Sequence, residues 1–185
     1  MIQLLDEVTI GQIAAGEVVE RPISVVKELV ENALDAGART IAVSVERGGI
    51  DRILVRDDGL GIAPQDLPLA VRRHATSKLA GPDGLNSIAT LGFRGEGLAA
   101  IAAVARTRVV SRRAAFEIAA AVEAFGESVE TLDPVAAPIG TSVDVRELFA
   151  NVPARREYLR GPAAEFARIS NFLAMLALGY PDVRF

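Results

Sequence analysis

Glu28 and Asn32 stand four residues apart in the stretch Val25-Val26-Lys27-Glu28-Leu29-Val30-Glu31-Asn32-Ala33-Leu34-Asp35-Ala36-Gly37. On a helix that spacing puts both side chains on one face, about 5–6 Å apart at Cβ. Glu28 offers a carboxylate that can take a proton. Asn32 offers an amide oxygen, a hard ligand suited to Mg²⁺. Taken alone, the pair is better explained as a solvated helix face, because Glu and Asn are mostly exposed. Its weight comes from other residues along the chain.

Some twenty residues later, Asp57-Asp58-Gly59-Leu60-Gly61-Ile62 sets a carboxylate at a strand end before a double-glycine turn. A carboxylate only accepts hydrogen bonds, so Asp57 can pair with the N6 amino group of adenine and would repel the O6 of guanine. The commoner use of Asp before Gly is simply to shape a turn. Further on, Gly92-Phe93-Arg94-Gly95-Glu96-Gly97-Leu98 runs into an apolar stretch. Glycines let backbone N–H groups come close to a ligand, and a helix N-terminus favours phosphate. Lys78, in Ala75-Thr76-Ser77-Lys78, and Arg94 could add cationic contacts. The plain alternative is a flexible loop.

These residues need elements to position them. Pro22 suits the first turn of a helix and Gly37 its left-handed stop, with Val26, Leu29 or Val30, Ala33 and Leu34 facing a core. Residues 10–20 read as a short helix broken by Gly16. Thr40 to Arg47 alternates as a half-buried strand, Gly48-Gly49 turns it, and Ile53-Leu54-Val55 returns to end at Asp57. A helix is expected over Pro64 to Arg73. Ala75 to Gly97 is long for a connection, and loops of that length are usually functional lids or disordered. Leu98 to Ala105 reads as a helix, Arg106 to Ser111 and Phe116 to Val122 as antiparallel strands, and Ser142 to Val145, after Gly140-Thr141, as another.

Ala154 to Arg160 looks helical. Pro162 to Leu178 reads as an amphipathic helix with Phe166, Ile169, Leu173 and Leu176 inward. Gly179 ends it, and Asp182 to Phe185 opens a further strand. The mixture predicts an α+β fold: a two-layer α/β sandwich, with a mixed, mostly antiparallel sheet carrying helices on one face.

At 185 residues, half of them hydrophobic, residues 1–185 are expected to form one domain with a sizeable core. A net charge of −4 gives no overall attraction to nucleic acid. Without cysteine there is neither a disulfide framework nor a thiolate metal site. The N-terminus lacks the basic start and apolar run of a signal peptide. The longest apolar stretches, such as Leu98 to Ala105, are too short to span a bilayer. A soluble, cytoplasmic protein is the expectation. Neither G-x-x-x-x-G-K-[ST] nor G-x-G-x-x-G after a strand is present, and His74, the single histidine, reads as a helix-end residue.

In combination, Glu28-x-x-x-Asn32, Asp57-x-Gly59-x-Gly61, Gly92-x-x-Gly95-x-Gly97 and Gly140-Thr141 resemble the Bergerat ATP-binding fold of gyrase-class topoisomerases, heat-shock chaperones, histidine kinases and MutL. Within that group the chain resembles the N-terminal ATPase region of the MutL-type DNA mismatch repair family. The resemblance rests on Gln12 to Pro22, Arg73-His74-Ala75-Thr76-Ser77-Lys78, Gly92-Phe93-Arg94-Gly95-Glu96 and Asn151-Val152-Pro153-Ala154-Arg155-Arg156. It implies that Glu28 is the general base activating water, that Asn32 is the direct Mg²⁺ ligand, and that Asp57 binds the adenine amino group with Thr141 and a water. It also implies that Gly61, Ile62, Thr76, Ser77, Lys78 and the run Gly92, Phe93, Arg94, Gly95, Glu96, Gly97, Leu98 complete the ATP site.

In such proteins ATP orders the lid and pairs two N-terminal regions into a homodimer, residues 1–15 matching the crossing segment. A mismatch-recognition protein, MutS, and downstream repair factors are the implied partners. A phosphate-binding lysine from a second subdomain and a C-terminal dimerisation domain have no counterpart in these 185 residues, so weak hydrolysis is expected. DNA contact is expected to be weak, with small basic clusters at Arg112-Arg113 and at Arg155, Arg156 and Arg160. A topoisomerase-like ATPase and a nucleotide-responsive interaction module with little hydrolysis are the competing readings.

Overall fold

A computed structural model describes residues 7–72 and 97–185. In chain order it contains helices α1 (Glu7–Val18) and α2 (Pro22–Asp35), then strands β1 (Ile41–Glu46) and β2 (Arg52–Asp57). Short helix α3 (Leu67–Ala70) and helix α4 (Gly97–Val104) follow, then β3 (Arg106–Arg112), β4 (Ala119–Phe125), β5 (Ser128–Val135) and β6 (Gly140–Arg146). Helices α5 (Pro153–Glu157) and α6 (Pro162–Gly179) come last.

The six strands form one sheet in the order β1-β2-β6-β3-β4-β5, with every neighbouring pair antiparallel. Register places Ile53 and Val55 of β2 beside Val145 and Val143 of β6, then Thr107 and Val109 of β3, then Ala124 and Val122 of β4. These rows are buried and make up one face. Against them pack α2, through Val25, Val26, Leu29, Val30 and Ala33, and α4, which is apolar all round and almost wholly buried. Each such Val, Ile or Leu contributes about 1.5–3 kcal/mol on leaving water. The expected two-layer α+β sandwich is what the chain adopts, while the strand expected over Asp182 to Phe185 is reduced to an isolated parallel bridge between Arg184 and Thr40, just ahead of β1.

Helix α2 ends as expected. Gly37 has φ +71°, its N–H donates to Leu34 O, and the Ala38 N–H donates to Ala33 O, the double closure that satisfies a helix C-terminus. Several expectations need correction. Gly16 does not break α1; the helix runs through it, and the Arg155 guanidinium sits where a Cβ would be. The β1–β2 connection is a short 3-10 turn over Arg47–Gly49 rather than a two-residue turn. The helix expected over Pro64 to Arg73 contracts to Leu67–Ala70. Strand β4 begins at Ala119 rather than Phe116, and β5 is an edge strand the pattern did not reveal. Phe166 is 53% exposed, so α6 turns Ile169, not Phe166, into the core.

On the outer face of the sheet, Arg52 of β2 grips Asp144 of β6 with Nε and Nη2, each 2.9 Å from a different carboxylate oxygen. Arg146 adds a contact at 3.1 Å. Partial burial pushes the Asp144 carboxyl up, but the two guanidiniums outweigh it and hold it below its ordinary value of 3.8. A depressed carboxyl contributes stability above the unfolded value and loses it as pH falls through the folded one. Asp144→Asn is therefore expected to cost about 1 kcal/mol at neutral pH. In urea unfolding the gap from the parent should shrink as pH drops below 3.8. A pH-independent gap would show that the charge is not what matters.

Candidate functional site

Strand β2 delivers Asp57 to the end of the sheet, on the same face as Ile53 and Val55, so its side chain points toward the helix layer rather than into bulk solvent. Thr141 is its register partner on β6, and Ser111 of β3 is the partner of Thr141. One carboxylate oxygen, Oδ1, accepts the N–H of Gly59 at 2.9 Å and that of Thr141 at 3.3 Å. Among the described residues, both donors converge on this single oxygen. Burial pushes the Asp57 carboxyl above its ordinary value; the Gly59 and Thr141 N–H groups oppose the shift and the Asp58 charge adds to it. A half-buried carboxylate whose other oxygen takes no donor among the described residues suits a ligand that brings its own donor.

Asp58 does different work. Its Oδ1 accepts the N–H groups of Arg39 at 2.7 Å and Thr40 at 2.8 Å, tying the entrance of β1 to the end of β2. Desolvation would raise its carboxyl, but these N–H groups win and lower it. Two adjacent aspartates thus take different partners, Asp57 the turn at Gly59 and strand β6, Asp58 the entrance of β1, a distinction that the sequence does not carry.

The turn after Asp57 is pinned on two sides. Leu60 N–H donates to Ala36 O at 3.0 Å, joining the turn to the end of α2. Gly61 follows with φ +70°, and Ile62 N–H donates to Ser111 Oγ at 2.8 Å. Gly140, at φ +117°, comes so close to strand β2 that an added Cβ would overlap the Asp57 carbonyl oxygen. Gly140→Ala is expected to destabilise the fold by about 2–3 kcal/mol, as both strain and a steric clash would be introduced. A thermal-denaturation shift of less than a degree would contradict this packing.

Glu28 and Asn32 share a face of α2 as expected, both half-buried. Ala36 continues that line, so Glu28, Asn32 and Ala36 step along the helix over about 12 Å, at 1.5 Å per residue. One end of the line meets the Asp57 turn through Ala36. At the other end Gly97, the first residue of α4, abuts the Glu28 carboxylate closely enough that a Cβ there would overlap Oε2. Leu98 is partly buried against the core. The helix stripe therefore links an acceptor for a donor-bearing group to a carboxylate lying at a helix N-terminus.

Of the other expected site residues, Thr76, Ser77, Lys78, Gly92, Phe93, Arg94, Gly95 and Glu96 lie outside the described residues, as does His74. The basic clusters are partly committed elsewhere. Arg155 fills the space at Gly16, and Arg156 lies 4.0 Å from Asp51. Ser111, absent from the sequence-based set, joins the site only because β3 pairs with β6. No group of three His, Cys, Asp or Glu among the described residues could hold a metal by itself. A cation here fits a donor set of one amide oxygen from Asn32 with oxygens supplied by a ligand and water, the usual company of Mg²⁺. No helix among the described residues is long and apolar enough to cross a membrane.

Residues 20–127 match the family described as "Histidine kinase-, DNA gyrase B-, and HSP90-like ATPase". Over 182 residues, 98% of this chain, the sequence is 56% identical to the DNA mismatch repair protein MutL of Xanthomonas campestris pv. campestris and 53% identical to that of Xylella fastidiosa. The chain spans 29% of the length of those relatives. The Aquifex aeolicus MutL ATPase domain complexed with ADP aligns with a TM-score of 0.74 at 31% identity, covering 90% of this chain and 58% of that one. The N-terminal domain of a DNA repair protein aligns with a TM-score of 0.79 at 27% identity, covering 94% of this chain and 50% of the other.

Proposed function

The chain belongs to the histidine kinase-, DNA gyrase B- and HSP90-like ATPase family and matches MutL over its N-terminal region, and we propose that it binds ATP with Mg²⁺ and hydrolyses it as a switch in DNA mismatch repair. The observation that carries this reading is Asp57. Its Oδ1 is occupied by two backbone donors while Oδ2, which takes no donor among the described residues, would accept the adenine amino group.

From there the α2 stripe supports the rest. Asn32 would hold Mg²⁺ through its amide oxygen, and the ion would supply charge neutralisation of the phosphates. Glu28, at the N-terminus of α4, would orient water and take its proton, the positioning and charge-stabilising chemistry of phosphoryl transfer. The helix end favours the developing negative charge. In this reading Gly61, Ile62, Gly97, Leu98 and Thr141 line the nucleotide, and Thr76, Ser77, Lys78 and Gly92 to Glu96 close over its phosphates.

The finer parts of the reading come from the MutL type. ATP orders the lid, two copies pair, and the dimer engages MutS and downstream repair factors in the cytoplasm, close to the nucleoid. Residues 1–185 act as one ATP-binding domain. Turnover by these residues alone is slow, since the MutL type places a γ-phosphate lysine in a second subdomain. A topoisomerase-like role is less well supported, given the similarity to MutL along 98% of the chain.

Calorimetric titration with a non-hydrolysable ATP analogue tests the reading. With Mg²⁺ the parent chain binds, and Asn32→Ala loses about 10–100-fold, the worth of one charge-assisted contact. With the metal chelated, parent and variant should bind alike. No binding by the parent, or an equal deficit with and without metal, would refute the assignment.

A further inference from the structure

We propose that Ser111 is a specificity-determining positioning residue: it orients the Thr141 hydroxyl so that the floor beside Asp57 only accepts hydrogen bonds, which selects a 6-amino purine over a 6-oxo purine. The proposal rests on the ATP reading above and names the residue that sharpens it.

Ser111 is 1% exposed, on the inner face of β3 and opposite Thr141. A hydroxyl has one proton to give and two lone pairs to offer. Ile62 N–H takes one lone pair at 2.8 Å. The Ser111 proton goes to the Gly140 carbonyl at 3.1 Å. The second lone pair then receives the Thr141 hydroxyl, whose oxygen is 2.9 Å away. All three capacities are used only in this arrangement. If Ser111 donated to Thr141 instead, the Gly140 contact would be forfeited, at a cost in a buried site.

The consequence falls on Thr141. Having given its single proton to Ser111, its hydroxyl keeps only lone pairs for whatever lies beside Asp57. The Asp57 carboxylate also offers only lone pairs. A purine edge set against these two residues must bring a donor at position 6. An amino group does; an oxo group presents a third acceptor and is rejected. Ser111 touches no nucleotide in this scheme and acts through Thr141. A residue serving only to pin the Ile62 turn would use the same bonds but would not discriminate between bases.

The test is titration of the 185-residue chain with ATP and with inosine triphosphate, which carries oxygen in place of the 6-amino group, reading the ratio of the two dissociation constants. The parent should favour ATP. Ser111→Ala releases the Thr141 proton to turn toward a 6-oxo group, so the ratio should narrow about tenfold. Ser111→Thr, which restores a hydroxyl, should bring the parental ratio back. Thr141→Val removes the same lone pair from a half-buried position and should narrow the ratio even if Ser111→Ala folds poorly. Adding Ser111→Ala to it should narrow the ratio no further. If Ser111→Ala and Thr141→Val weaken both nucleotides equally and keep the parental ratio, Ser111 is only a strand pin and the proposal falls while the ATP reading stands. If the parent binds neither nucleotide, the ATP reading falls and takes this inference with it.

Discussion

Asparagine at position 57 is expected to lower affinity for an ATP analogue by about 100-fold or more while leaving the chain at least as stable at neutral pH. The two effects have one cause. Asparagine keeps an oxygen where Oδ1 sits, so the Gly59 and Thr141 N–H groups retain their acceptor. The other atom becomes an amide nitrogen carrying hydrogens, and it meets the adenine amino group donor to donor. Sites built around a polar match discriminate strongly against such a mismatch.

The stability effect follows from the raised carboxyl. Burial makes the ionised form of Asp57 costly, so its folded pKa lies above the ordinary 3.8. The folded chain therefore holds its proton more tightly than the unfolded chain. The contribution of this group is most favourable below 3.8 and falls as pH rises through the interval up to the raised value, after which the penalty is constant. Asparagine has no charge to bury, so its advantage over the parent opens across that same interval. Urea unfolding of both chains across the acid range, paired with calorimetry at neutral pH, reads both effects. Binding within threefold of the parent would remove Asp57 from the adenine contact. A stability gap that narrows as pH rises would reverse the assigned direction.

Glu28→Ala should separate binding from chemistry. Removing the carboxylate at the start of α4 takes away the proton acceptor, which general-base contributions put at about 10²–10⁴-fold in turnover. The analogue should bind as before, because the adenine floor and Asn32 are untouched. Glu28→Gln sharpens the result: it preserves the contact with Gly97 and removes only the basicity, so it should be as inactive as alanine. Product formation from labelled ATP, followed long enough to measure a slow parent rate, gives the readout. Turnover within tenfold of the parent in both variants would mean the proton leaves by another route. If affinity collapses in step with rate, Glu28 is structural.

What could be read without coordinates was local. The α2 helix from Pro22 to the Gly37 stop, the alternation of β1 and β2, and the strand-end position of Asp57 all follow from patterns within one element, where periodicity and capping act over a few residues. The pairing of Glu28 with Asn32 on one face needed only the helical repeat. Local signals failed where neighbours decided. Gly16 stays helical, and Arg155, far along the chain, occupies the space a side chain there would need. Phe166 looked like a core residue by spacing, yet the packing of α6 turned Ile169 inward and left Phe166 in solvent. Strand β5 carries little alternation because neither of its faces is buried in the core.

The site divides along the same line. Residue types and order along the chain indicated which groups could bind nucleotide, because carboxylate, amide and glycine chemistry is intrinsic to the residues. Which groups work together was a matter of long-range pairing: β6 beside β2 sets Thr141 against Asp57 across 84 residues, and β3 beside β6 adds Ser111. The division of labour between Asp57 and Asp58 also belongs to the tertiary structure, since strand alternation sends consecutive side chains to opposite faces and only the surrounding N–H groups determine which carboxylate is consumed. Sequence determined the chemistry on offer; the sheet determined its partners, because hydrogen bonds between distant strands form only when the chain folds.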